Sequence, residues 1–339
     1  MKRASPSQDR PTAESAFHPG EQAMQARAGV AEHMSAIGAR VMRPAMPPEH
    51  RELFEKLPFV LLGALDAGGR PWATVLVGKP SFVRTPDATS LVLGARPLTE
   101  GALQLALEPG APVGLLGIEP STRRRNRVNG VVRLLGGEGL CVQVRQSFGN
   151  CPKYIQARDF EVVARNAAAP AVLGACLSAE ALAVIARADT FFIATASPGA
   201  SLPDQAPSEG VDVSHRGGKP GFVRVDEVDG AIVLTTPDFT GNYFFNTLGN
   251  LALHPRAGLL FIDWESGDVV VLTGSAEVQW EGPEVKAFAG AQRILRVRVA
   301  EGRWLPGAMP LRATRVEYAS QLAATGAWDA AGTSRGEPR

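Results

Sequence analysis

The sequence predicts a mainly β protein with flanking helices, in which two antiparallel barrels or sandwiches follow one another along the chain. Three observations carry this. Segments recur in the same order, short apolar strands alternate with turn residues, and the composition favours turns, with 36 Gly and 26 Pro but only 6% aromatic residues. The repeat comes first because it fixes architecture before any motif is interpreted. Gly78-Lys79-Pro80-Ser81-Phe82-Val83-Arg84 returns as Gly218-Lys219-Pro220-Gly221-Phe222-Val223-Arg224, identical at six of seven positions and displaced by 140 residues. Leu105-Ala106-Leu107-Glu108-Pro109 returns as Leu251-Ala252-Leu253-His254-Pro255, displaced by 146, and the segment from Gly114 to Glu119 returns from Gly258 to Asp263, displaced by 144. Three collinear matches with little drift imply a duplicated unit, here residues 50–165 and 181–305.

Taken in order, residues 1–49 form an N-terminal extension whose spacing of Met24, Ala28, Ala31 and Met34 predicts a helix from Gly20 to Val41. The first copy opens with the apolar strand Phe59 to Leu65. Asp66-Ala67-Gly68-Gly69-Arg70-Pro71 then supplies a turn, and Trp72 to Val77 returns as a hairpin partner. Leu98 to Leu107 is expected to be a short helix before Pro109. Residues 166–180 form a linker containing the Ala-Pro stretch Ala167 to Ala171, with Ser178 placed to cap a helix. In the second copy, Phe191 to Ala196 and Val211 to Arg216 flank a longer insertion. Strands are expected at Ala231 to Thr235, Gly258 to Asp263 and Val269 to Val278, with a helix over Thr240 to Ala252. Asn129-Gly130 and Thr273-Gly274 are matching points expected in the last strand of each copy. Residues 306–339 read as a tail, frayed beyond about 320 because they are small and polar.

Several function classes are set aside by composition. The 339 residues carry 35 Lys and Arg against 34 Asp and Glu, so no global field draws nucleic acid. The longest apolar runs fall far short of the roughly 20 residues that cross a bilayer, so no membrane partner is expected. The polar first 15 residues do not read as a secretory signal. Three cysteines, Cys141, Cys151 and Cys176, make no CxxC pair, which argues for a cytoplasmic, reducing setting and against a zinc knuckle. The five histidines lack metal-ligand spacing, so no metal site is expected, and there is no HExxH, GxSxG or P-loop.

Three clusters remain as candidates. Ser214, His215, Arg216 and Gly217 place a hydroxyl, an imidazole and a guanidinium along one strand beside glycines that allow a flat ring or a phosphate to approach. Their first-copy counterparts from Thr74 to Val77 are largely apolar, so the polar set is not a shared surface feature. Thr235, Thr236, Pro237, Asp238, Asn242 and Asn246 lie on a strand end leading into a helix, where hydroxyls, amides and free N–H groups suit an anion or a helix cap. Arg123, Arg125 and Arg127 are expected on one face of a strand, as a solvated face, a phosphate site or a nucleic-acid contact. The lack of interleaved aromatics argues against nucleic acid. The segment from Gln146 to Gln156 follows, with Lys153 and Tyr154 as polar groups suited to lining a cleft and Cys151 as a lone, inert thiol.

These stretches, RRRNRVNG, FGNCPKYIQ, TTPDF, HPRAG, LLFID and LTGSAEV, resemble the pyridoxamine 5′-phosphate oxidase-like, FMN-binding split-barrel proteins. The resemblance implies two tandem split β-barrels that pair within one chain as a pseudodimer, with FMN held between them and homodimerisation as a further expectation. It implies flavin contacts for Ser214, His215 and Arg216 and a phosphate near Thr235 and Thr236. Where the family often has a lysine in the next helix, this chain has Asn246 and Thr247, so Arg216 or an arginine from Arg123 to Arg127 is expected to meet the phosphate. The expected function is an FMN-dependent oxidoreductase of a small-molecule substrate, using a reduced nicotinamide as a possible donor. A non-catalytic flavin or haem carrier is the alternative, and a nucleic-acid module the weaker one.

Overall fold

The fold was analysed as a computed structural model that describes residues 15–137, 139–202 and 205–328 and the backbone of 334–335. The N-terminal and C-terminal readings for residues 1–14, 329–333 and 336–339 lie outside the described residues. Three helices come first: α1 (Pro19–Arg27), α2 (Ala31–Val41) and α3 (Pro48–Lys56). Helix α1 starts in a capping box. The His18 side chain accepts from Gly20 N–H at 3.1 Å, and the Glu21 carboxylate accepts from His18 N–H at 2.9 Å. The single helix expected from Gly20 to Val41 is broken because Gly29 takes φ +72°, the left-handed stop that ends α1.

The first sheet contains β1 (Phe59–Leu65), β2 (Pro71–Val77), β3 (Val83–Asp87), β4 (Ser90–Leu93), β5 (Pro112–Glu119), β6 (Arg124–Gly136) and β7 (Gly139–Gly149). A connector follows with β8 (Ala157–Val162), β9 (Ala171–Leu173) and α4 (Ala179–Arg187), the last capped by the Ser178 hydroxyl. The second sheet contains β10 (Thr190–Ala196), β11 (Val211–Gly217), β12 (Arg224–Val228), β13 (Ala231–Phe239), then α5 (Asn246–Leu253), β14 (Arg256–Ile262), β15 (Val269–Gln279), α6 (Pro283–Ala287) and β16 (Ala291–Leu305). Last, β17 (Leu311–Glu317) turns back to pair with β8.

Strand order demonstrates the duplication. The first sheet runs β2-β1-β5-β6-β7-β4-β3 and the second β11-β10-β14-β15-β16-β13-β12, the same path with every strand replaced by its repeat, and all the pairings are antiparallel. Register matches as well: Leu116 faces Arg127 as Leu260 faces Val271, and Leu62 faces Thr74 as Ile193 faces Ser214. The Asn129-Gly130 and Thr273-Gly274 points mark equivalent β-bulges, but on β6 and β15, the strands before the last, rather than on β7 and β16.

The two sheets pack against each other reciprocally. Gly114 on β5 lies against the backbone of Val211 and Asp212, where an added Cβ would sit 2.6 Å from a carbonyl oxygen. Its repeat, Gly258 on β14, lies against Pro71 and Trp72 in the same way, with an added Cβ 2.4 Å from a carbonyl oxygen. Equivalent residues touching equivalent residues is the signature of a two-fold interface, here within one chain. Apolar residues fill the interior of each sheet. A third cluster, including Phe59, Trp72, Val75, Leu116, Phe192, Val269 and Val271, lies between the sheets.

Two further expectations are corrected. Leu98 to Leu107 is not helical, because its backbone is used elsewhere: Leu98 N–H bonds to Val75 O at 2.9 Å and Ala106 N–H to Leu65 O at 2.8 Å. Its leucines enter the apolar clusters singly. In the second copy the helix starts at Asn246 rather than Thr240, since Tyr243 and Phe245 adopt φ of +60° and +62°. Residues 320–328 are packed: Leu322 is buried, and Trp328 donates to Phe222 O at 2.8 Å.

Candidate functional site: a cationic cleft between the copies

A cleft opens where the start of β6 and the loop after β7 meet β11, the end of β13 and the loop into α5. Two adjoining cavities form it, sharing Arg125, His215, Arg216, Asp238, Phe239 and Gly241.

The deep end is a polar network built on an ion pair. Arg127 comes from the first copy and is stacked over Phe148 at 5.3 Å. Its guanidinium meets the Asp212 carboxylate at 2.5 Å and donates to Asn246 Oδ1 at 2.7 Å and Ser214 Oγ at 2.6 Å. Ser214 in turn donates to Asp212 at 3.1 Å, and Thr247 donates to Ser214 at 3.0 Å. Asn246 donates to Glu21 on α1, whose carboxyl is pushed up to about 8, chiefly by burial, with the Asp212 charge adding to it. Ser214, Arg127 and Asn246, expected to hold a cofactor, are thus engaged by the chain's own carboxyl groups.

The outer end is different. Asp238 lies between two guanidiniums: Arg293 Nε donates to it at 2.9 Å, and Arg216 Nε stands 3.7 Å away, buried and without a hydrogen-bond partner. Arg293 is also stacked over Phe245 and Trp280. Arg125 donates through Nε to the Cys151 carbonyl at 2.7 Å, and Lys153 lines the same wall. Burial, with the Arg127 and Arg216 charges adding to it, brings Arg125 down to about 10, so it remains a cation at neutral pH. Arg125, Lys153, Arg216 and Arg293 therefore face one carboxylate, and the lining favours an anion.

His215 occupies the middle of the cleft. It is 4% exposed and packs edge-on against Phe192. Burial first, then the charges of Arg125, Arg216 and Arg158, hold its pKa well below the ordinary imidazole value, so the ring is neutral. Tyr154 stacks on Phe239 at 5.0 Å and, like Tyr243 and Phe245, has a positive φ, a costly conformation that recurs along the two cavities of this cleft. Gly217 is required for another reason than ligand approach: an added Cβ would sit 2.0 Å from the Tyr154 carbonyl oxygen. Pro237 lines the outer cavity, and Asn242 donates to Asn150 at 3.3 Å across the two copies.

Not every candidate converges. The Thr235 hydroxyl points to Asp226 at 3.4 Å in a separate groove with Arg224, Arg296 and Arg298, and Thr236 lines neither cavity, so the part of this strand end that lines the cleft is Pro237–Phe239 instead. Arg123 precedes β6 and donates to Ile155 O at 3.1 Å, so only Arg125 and Arg127 share the inward face. Arg293 was missed. Its signal was a guanidinium on the face of β16 that otherwise carries the buried Leu295, Val297 and Val299.

The duplication provides an internal control. The positions equivalent to Arg125, Arg127, Asp212, His215 and Arg216 are Val269, Val271, Trp72, Val75 and Leu76, all in apolar clusters, and Thr74 in place of Ser214 is hydrogen-bonded to Thr99. The two-fold mate of the cleft is solid core.

No protein-family model matches the chain and no curated protein is similar to it. Among the described residues no group of His, Cys, Asp and Glu could hold a metal ion, and no helix is long and apolar enough to cross a membrane. Solved structures are similar to it at low identity. A pyridoxamine 5′-phosphate oxidase-related, FMN-binding protein of Nostoc punctiforme is 10% identical, over 39% of this chain and 92% of that one, with a TM-score of 0.24. An FAD-binding protein of Mesorhizobium loti is 15% identical, over 40% of this chain and 97% of that one, with a TM-score of 0.24. The haem storage protein HutZ of Vibrio cholerae is 10% identical, over 38% of this chain and 92% of that one, with a TM-score of 0.25. Solved structures similar to this two-sheet chain thus include a pyridoxamine 5′-phosphate oxidase-related, FMN-binding protein, an FAD-binding protein and a haem storage protein.

Proposed function

We propose that the cleft binds one FMN per chain and that the protein is an FMN-dependent oxidoreductase acting on a small molecule, with a reduced nicotinamide as the electron donor. The observation that supports this most is the cleft as a whole, where Arg125, Lys153, Arg216 and Arg293 stand around one carboxylate and the buried Arg216 Nε lacks a partner. That donor set fits a phosphate bound to a flat ring. Arg125, Arg216 and Lys153 would hold the phosphate, and the neutral His215 and the Tyr154–Phe239 stack would border the ring. The deep network does not fit a second anion, since Asp212 already neutralises Arg127. A bound flavin supplies the redox chemistry, and the chain supplies orientation and electrostatics. Here the guanidiniums favour negative charge.

His215 also supports a second reading, a haem carrier in which this buried, neutral imidazole would hold the iron. Spectra of the purified protein mixed with FMN or haemin and then desalted separate the two. Retained FMN that is lost in Arg216→Ala supports the flavin reading, and a Soret band lost in His215→Ala supports the other.

A further inference from the structure

Another cavity, of about 670 Å³, lies where the end of α4 and the start of β10 meet β8, β17 and the turn after β14. It is the size of a small-molecule site and shares no lining residue with the cleft. Its cations are already matched. Arg158 donates to both oxygens of Asp189, at 2.6 and 2.5 Å, Arg187 donates to Asp263 at 2.5 Å, and Glu265 adds one more carboxylate. The Arg158–Asp189 pair is buried and ties β8 to the start of β10. It leaves two atoms unexplained. Arg158 and Thr190, 8% and 7% exposed, both line the cavity, and among the described residues Arg158 Nε and Thr190 Oγ1 have no hydrogen-bond partner. A buried polar atom left unpaired costs stability, so two of them beside one cavity point to a ligand that pairs them. The walls around them are otherwise apolar, with Val184, Ile262, Trp264 and Ala313.

We propose that this cavity binds a small neutral amide carried on an apolar or aromatic body. Arg158 Nε–H can only donate, so it calls for an acceptor, which an amide carbonyl supplies. The Thr190 hydroxyl can accept the amide N–H, and the apolar walls cover the body. Charge selects the neutral form. A carboxylate would offer acceptors only and stand beside Asp189, Asp263 and Glu265, whereas an amidinium would offer donors only and leave Arg158 Nε–H unpaired.

Benzamide, benzoate and benzamidine share one ring and differ in charge, so titrating each against the full chain by ligand-observed NMR tests the site. Benzoate can also enter the cationic cleft, so each titration is repeated on Thr190→Val and only binding lost there is assigned to this cavity. In that component benzamide is expected to bind at least about ten-fold tighter than either charged analogue, the worth of one hydrogen bond. Thr190→Val keeps the side-chain volume and removes the unpaired hydroxyl. It should weaken benzamide about ten-fold while the unfolding midpoint stays level or rises, and Thr190→Ser should restore binding. A hydroxyl with a purely structural role would instead lower the midpoint when removed. No saturable benzamide binding, a charged analogue bound equally well, affinity unchanged in Thr190→Val, or a fall in its midpoint would overturn the proposal. No flavin enters the readout, so benzamide bound to a chain that retains no FMN would leave this site standing and remove the flavin reading.

Discussion

Arg127 of the first copy and Asp212 of the second form an ion pair of 2.5 Å in which each side chain is only 3% exposed. At the two-fold related positions stand Val271 and Trp72, so one fold holds both a charged and an apolar solution to the same packing problem. Burying a pair costs desolvation that its attraction offsets only with additional hydrogen bonds, and Ser214, Asn246 and Thr247 supply them here. Removing one partner strands the other. Arg127→Ala should therefore lower stability by about 3–5 kcal/mol. The apolar pair Arg127→Leu with Asp212→Leu should recover at least about 1 kcal/mol of that loss in urea unfolding. A double variant no more stable than Arg127→Ala would show that the charge pair is not the source of the penalty.

Glu21 predicts a pH dependence of opposite sign to the usual carboxylate. Its folded pKa is about 8, against an ordinary value of 4.5, because burial favours the neutral acid. Between those values the folded state holds a proton that the unfolded chain has released, so stability from this group is full below about pH 4.5 and falls as pH rises toward 8. The slope is about 1.4 kcal/mol per pH unit. Glu21→Gln should flatten the stability profile over that window, and an unchanged slope would mean the carboxyl is ionised when folded.

Helix α1 is seated through a glycine contact. An added Cβ on Gly20 would lie 2.2 Å from the Gly249 carbonyl oxygen on α5. Gly20→Ala should push α1 away, breaking the Glu21–Asn246 bond and uncovering Phe17 and Phe244. Limited proteolysis should then cut within residues 15–45 well before the sheets unfold. Equal protease resistance would show that the crossing tolerates a methyl group.

Arg216 and Arg293 share Asp238 but differ in what else holds them. Arg293 is stacked on Phe245 and Trp280, whereas Arg216 Nε has no hydrogen-bond partner. Arg216→Ala should weaken FMN binding by at least about ten-fold, the 1.4 kcal/mol worth of one charge-assisted bond, with little change in unfolding midpoint. Arg293→Ala should lower both. The reverse pattern would exchange their roles.

The architecture was legible because repetition is written locally: the glycine-lysine-proline segment and the Gly114 and Gly258 strands carry their own register. The missing helix at Leu98 to Leu107 was not, since what unravels it is pairing with β1 and β2, which no local pattern encodes. At the site, Arg125, His215, Arg216 and Asp238 were visible as polar groups breaking an apolar strand pattern. The roles of Arg127 and Asn246 were hidden because the groups that engage them, Asp212 and Glu21, arrive from the facing sheet and from the N-terminal extension.

The most direct measurement is the stoichiometry of FMN bound to the purified full chain, by titration and by absorbance after desalting. A single polar cleft beside an apolar two-fold mate predicts one FMN per chain, lost on Arg216→Ala. Two per chain, or none at saturating concentration, would contradict it.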